Sequence, residues 1–176
     1  MDYKNHLKTG AIAGVLVIFS LYRDISIDPA EIVIYSAGIV IGSALPDIDH
    51  PGSLLARKLN IFGKLISKIF SHRGFTHSLL FIIILIIIKN IFKNYFDYPD
   101  SQLFEFGFLG IIVGSSMHIF MDLFVGNGTK LLFPIYKKKI YISKIKSGTK
   151  LEAFFIKLVL IVLCILLLYY NDKIII

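Results

Sequence analysis

Three of the chain's five histidines bracket one short segment. It runs Leu45-Pro46-Asp47-Ile48-Asp49-His50, continues through a basic spacer, and closes on Ser71-His72-Arg73-Gly74-Phe75-Thr76-His77-Ser78. Imidazole nitrogens mixed with carboxylate oxygens are the donors that hold Zn²⁺, Mn²⁺ or Fe²⁺ rather than Ca²⁺ or Cu⁺. A further pair, His118 and Asp122, is spaced i, i+4. On a helix that spacing puts both side chains on one face, where they grip one ion or bridge two. An imidazole–carboxylate hydrogen bond that staples helices would use the same spacing.

Asp47 and Asp49 follow a proline, so their backbone is expected to leave the helix. On an extended stretch the two carboxylates point the same way. They would then share one ion, or bridge two as in sites that clamp attacking and leaving oxygens. A solvated helix end is the plainer role of such a loop. Gly74 permits a bend that turns His72 and His77 inward. Arg73 offers a planar fork suited to phosphate, or else a simple anchor at the membrane surface. Thr76 is expected to cap the following helix, leaving His77 in its first turn. Ser78 has no separate general base and is not read as a nucleophile. His6 is the donor least supported by spacing. Glu152 reads first as a helix-start acid favoured by the dipole, and second as an extra ligand.

Elements must bring these donors together, and composition says which. Of 176 residues, 56% are hydrophobic and 18% charged, with a mean hydropathy of +0.75. That is too apolar for an ordinary soluble domain. Five apolar segments stand out, at roughly 9–22, 31–45, 77–92, 103–125 and 153–170. A span takes about 20 residues, so the first two are short. The expected fold is all-α: one membrane-embedded domain over residues 1–176, a bundle of about five transmembrane helices. Four spans and a re-entrant segment are the alternative. The N-terminal run lacks a small-residue cleavage site and is read as a retained segment. The single cysteine, Cys164, lies in an apolar run, so no disulfide framework exists.

Alternating spans place 14 lysines and arginines on one side and 4 on the other. The richer side is expected to be cytoplasmic. His6, Asp47, Asp49, His50, His72, His77, His118 and Asp122 all fall at that boundary, while the opposite side has acids but no histidine. The formal charge of +7 is therefore assigned to anionic lipid headgroups, and no nucleic-acid partner is expected. Ser53–Phe70 has apolar residues at helical spacing with Arg57, Lys58, Lys64 and Lys68 opposite. It reads as an interfacial amphipathic helix, or equally as a helix packed on protein. After Gly126-Asn127-Gly128 and Pro134, Lys139–Lys146 partly alternates lysine with isoleucine or tyrosine, a hint of a two-stranded ribbon.

His6-x₃-Gly10, Leu-Pro-Asp-Ile-Asp-His at 45–50, His-Arg-Gly-x-Thr-His-Ser at 72–78, and His118-x₃-Asp122 with the Gly-rich turn and Pro134 after it resemble the YdjM family of membrane-bound, metal-dependent hydrolases. The likeness covers nearly the whole chain. It implies metal ligands among His6, Asp47, Asp49, His72, His77, His118 and Asp122. More distantly, the order of donors looks like that of the zinc-dependent phospholipase C and P1 nuclease group. This chain has no tryptophan and no second His-x₃-Asp near its end, so two divalent ions, zinc first, are expected rather than three. The reaction so implied is hydrolysis of a phosphoester of a lipid or other membrane-associated substrate by a metal-activated water. Asp49 and Arg73 would be its catalytic groups, with Lys130 as a second phosphate partner. The rival reading keeps the metal and drops the turnover: a non-catalytic membrane protein with a structural site. A cation transporter would need donors near the midplane, where this chain has none.

Overall fold

The computed structural model describes residues 1–22, 26–50, 52–53, 74–93, 95 and 100–172. Among these residues five helices form: α1 Tyr3–Leu21, α2 Pro29–Ala44, α3 Leu79–Lys93, α4 Asp100–Asp122 and α5 Lys150–Asp172. Among the described residues between α2 and α3 are two short 3₁₀ turns, Leu45–Asp49 and Phe75–His77. His72, Arg73 and the expected amphipathic helix fall outside the described residues.

The start of α2 is fixed locally. Pro29 opens it, the Asp28 carboxylate accepts the Ala30 N–H at 2.7 Å, and Glu31 reaches back to the Asp28 N–H at 3.0 Å. That is a capping box with a proline in the first turn. Its end is fixed by Pro46, which has no N–H for the carbonyl four residues back. That carbonyl, on Gly42, takes the Leu45 N–H and the Ser115 hydroxyl instead, the latter at 3.1 Å. The chain tightens into the 3₁₀ turn that carries Asp47 and Asp49.

The most extensive packing joins α2 to α4, with α1 laid across both and against α5, and α3 on α4. Small residues permit the α2–α4 approach. A methyl group at Gly38 would fall 2.2 Å from the Gly107 carbonyl oxygen, and one at Gly42 2.3 Å from that of Ile111. One at Gly110 would meet the Tyr35 carbonyl oxygen at 2.2 Å, and one at Gly114 that of Ile39 at 2.6 Å. Backbones thus touch without side chains between them, the geometry small-residue repeats provide in membranes. Among the described residues, buried apolar side chains gather in two clusters, Tyr35–Ile39–Phe106 and Phe81–Leu85–Ile119.

The outside is apolar. Val33 on α2, Ile83 and Ile87 on α3, and Ile161, Ile165 and Leu168 on α5 are all exposed, a pattern suited to lipid rather than water. Among the described residues, three helical stretches are long and apolar enough to cross a bilayer: Pro29–Asp49, Gln102–Asp122 and Lys150–Tyr169. At 15 residues, α3 spans only about 22 Å of a hydrocarbon core about 30 Å thick.

No strand forms among the described residues, and the expected ribbon is replaced by two isolated bridges, Thr129 with Ile140 and Val125 with Ile145. The lysine-alternating stretch pairs back onto the segment after α4. There Gly126 and Gly128 take positive φ, 93° and 70°, and break any continuous ladder.

Candidate metal centre

His6 comes from the first turns of α1, Asp47 and Asp49 from the turn after α2, His77 from the turn before α3, and His118 and Asp122 from the last turns of α4. Side chains distant in sequence converge at one end of the bundle. His6, Asp49, His77, His118 and Asp122 are each at most 1% exposed.

Asp122 lies at the middle. Its Oδ1 is 3.5 Å from His6 Nε2; its Oδ2 is 3.5 Å from His77 Nε2 and 3.8 Å from His118 Nε2. Asp47 Oδ1 faces the same two imidazoles, 3.5 Å from His77 Nε2 and 3.7 Å from His118 Nε2. His6 stacks on His118 with ring centroids 3.6 Å apart, and His77 meets His118 edge-on at 5.3 Å.

The proton on His118 can be placed. Its Nδ1 is 2.7 Å from the Ser43 carbonyl oxygen, which only accepts, so Nδ1 carries a hydrogen and, in the neutral ring, Nε2 holds the lone pair. Ser43 lies in the last turn of α2, where carbonyls lack helical partners. That lone pair, fully buried and with no hydrogen-bond partner, points among carboxylate oxygens that also only accept. Electron-rich atoms facing one another in a buried site call for a cation between them. The spacings fit one: two ligand atoms about 2.05 Å from a tetrahedral zinc lie about 3.4 Å apart. His6–His118–Asp122 and Asp47–His77–His118 are the two groups able to hold an ion among the described residues. They share His118, whose single available lone pair serves one ion.

The parallel presentation of Asp47 and Asp49 expected from an extended chain does not occur. In a 3₁₀ turn successive residues rotate by about 120°, so i and i+2 diverge. Asp47 faces the Nε2 atoms, whereas Asp49 Oδ2 is 3.6 Å from His77 Nδ1, on the far side of that ring. Thr76 does not cap α3 either. Its hydroxyl donates to Asp49 Oδ2 at 2.7 Å, and the Phe81 N–H is taken by Ser78 Oγ at 3.3 Å. Threonine, carboxylate and imidazole thus form the supporting chain that usually orients a ligating histidine. Replacing Thr76 with valine is expected to lower metal affinity by 10- to 100-fold in a metal titration, with serine retaining it; equal affinities would deny Thr76 that role.

His50 is exposed, and its Nδ1 accepts the Gly52 N–H at 3.1 Å. Glu152 is buried at the start of α5, where Oε2 accepts the Gly148 N–H at 2.5 Å, so the helix-start role holds. His72 and Arg73 lie outside the described residues. Ser43 and Thr76, which orient the histidines, carry no sequence signal of that duty. The α2–α4 seam does, in the spacing of Gly38, Gly42, Gly107, Gly110 and Gly114.

A helical bundle apolar outside, with histidines and aspartates buried at one end, is a membrane protein carrying a candidate metal centre. The family model YdjM inner membrane protein matches residues 1–175, and the chain belongs to that family. It is 35% identical over 134 residues to the uncharacterized protein YvsG of Bacillus subtilis (strain 168), covering 76% of this chain and 74% of that one. It is 34% identical over 117 residues to the inner membrane protein YdjM of Escherichia coli (strain K12), covering 65% and 57% respectively. A weaker match, 29% over 149 residues, is to the uncharacterized protein YfhP of Bacillus subtilis (strain 168), covering 84% of this chain and 41% of that protein. No solved structure matches the chain. These matches support the YdjM family and add nothing to the likeness with the phospholipase C and P1 nuclease group.

Proposed function

We propose that this chain is a membrane-bound, metal-dependent hydrolase acting on a phosphoester of a lipid or other membrane-associated substrate. The observation that carries the reading is His118 Nε2, a buried lone pair aimed among carboxylates with its other nitrogen tied to Ser43. Asp47, His77, His118 and one oxygen of Asp122 would hold one divalent ion. His6 and the other Asp122 oxygen would begin a second site, with Asp122 as the bridge and His72 as a further ligand. Zinc suits the donor set best, with manganese or iron as alternatives. Such ions supply the acidification of water and the polarisation of a phosphoryl oxygen that hydrolysis requires. Asp49 serves by fixing His77 and by taking a proton at its carboxylate, and Arg73 by holding phosphate oxygens.

In this reading the single domain crosses the membrane five times. The lysine- and arginine-rich side places the centre at the cytoplasmic boundary. A phospholipid headgroup lies at that depth.

One observation favours a structural role instead: the donors come from the ends of four helices, as a staple's would. A panel of lipid and soluble phosphoesters, run with detergent-purified protein of measured metal content, separates the two. Turnover that disappears with chelation and returns with metal supports the hydrolase. Protein that keeps its metal, cleaves nothing on the panel and unfolds on chelation is a staple.

A further inference from the structure

A concavity opens beside the cluster. It has a volume of about 540 Å³ and is walled by Met1, Gly126, Asn127, Tyr141, Lys144 and Lys146. Met1 joins it to the centre, since the Met1 backbone nitrogen lies 3.7 Å from Asp122 Oδ1. The opposite wall is the loop after α4, and that loop is pinned. The Gly126 N–H donates to the Ile145 carbonyl at 2.8 Å, and the Ser143 hydroxyl to the Phe124 carbonyl at 2.5 Å. Ile145 is thus held to the segment that follows Asp122, and its two lysine neighbours are carried with it.

The charge in this pocket is one-signed. Both lysines are exposed, no carboxylate is among the wall residues, and neither lysine forms an ion pair among the described residues. Lys144 Nζ instead rests 4.5 Å from the centre of the Tyr141 ring, which steadies the ammonium without neutralising it. Two uncompensated ammonium groups on a fixed loop beside a metal centre form a receptor for an anion.

We propose that this pocket is the phosphate subsite of the centre, taking the anionic end of its substrate on Lys144 and Lys146. The proposal rests on the hydrolase reading for its link to catalysis, though not for anion binding itself. The shared chemistry is a phosphate group, borne by a lipid headgroup or by a soluble ester.

The test is titration of the full chain in nonionic detergent with inorganic phosphate, and separately with micelles containing phosphatidic acid. Metal content is measured for every variant. The double variant Lys144→Ala/Lys146→Ala should weaken phosphate binding by roughly tenfold or more. The arginine pair should retain it. Lys137→Ala/Lys138→Ala, which removes equal charge from the same loop outside the pocket, should leave it unchanged. Competition by phosphatidic acid micelles would assign the phosphate to a lipid, and binding of free phosphate alone to a soluble ester. Equal losses in the two alanine pairs, or no phosphate binding by the unaltered chain, would overturn the subsite. Wild-type protein that holds no metal but binds phosphate through Lys144 and Lys146 would end the hydrolase reading and leave the anion site standing.

Discussion

Exchanging His118 for alanine is expected to empty the four-donor set of its ion. Metal analysis of the purified variant should show an affinity lower by more than about 100-fold, beyond the 10- to 100-fold typical of losing an outer partner. The reason is geometric. His118 Nε2 sits between Asp47 Oδ1 and Asp122 Oδ2, at 3.7 and 3.8 Å, so its removal takes one of four donors and leaves His77 Nε2, 3.5 Å from each of those oxygens, as the single imidazole facing them. Helicity by circular dichroism should persist, because the α2–α4 contact is carried by backbone and small residues rather than by this ring. A variant that binds metal as tightly as the parent would remove His118 from the coordination sphere.

Gly42→Ala should produce the largest loss of stability. The three atoms nearest its added methyl are all backbone: Ile111 oxygen at 2.3 Å, Cα at 2.8 Å and carbonyl carbon at 2.9 Å. Backbone cannot rotate away, so the helices must separate, at a cost of at least the 1–3 kcal/mol usual for overpacking. Gly107→Ala is the control, because its methyl meets only the Ile34 Cγ2 atom at 3.0 Å, the end of a movable side chain. Both changes gain about 1 kcal/mol of helix propensity, so the difference between their thermal midpoints isolates packing. Metal affinity should fall in the Gly42 variant as well. The residue after Gly42 supplies the carbonyl that orients His118, and a wider α2–α4 gap pulls that carbonyl from the ring. Coincident melting curves for the two variants would refute the close-packed seam.

The two expectations meet at one junction. Ser115, one turn before His118, donates to the Gly42 carbonyl at 3.1 Å. Packing of two apolar helices therefore sets the tautomer of a buried imidazole, which links stability and metal affinity in a single structural element.

The amino-acid sequence alone was enough for the class of protein, a helical membrane protein of the YdjM family. Apolar runs near membrane length are written in linear order, and bilayer solvation acts on them segment by segment. The spacing of His118 and Asp122 is equally local, because a helix has one period. What a linear reading could not supply was direction. Asp47 and Asp49 read as a matched pair until Pro46 forced a 3₁₀ turn and set them on opposite sides of His77. The duties of Thr76 and of the Ser43 carbonyl depend on contacts made across 27 and 75 residues, and no local pattern encodes those. Tertiary packing decided them, because a side chain's partner is whatever the neighbouring helix brings within hydrogen-bond reach.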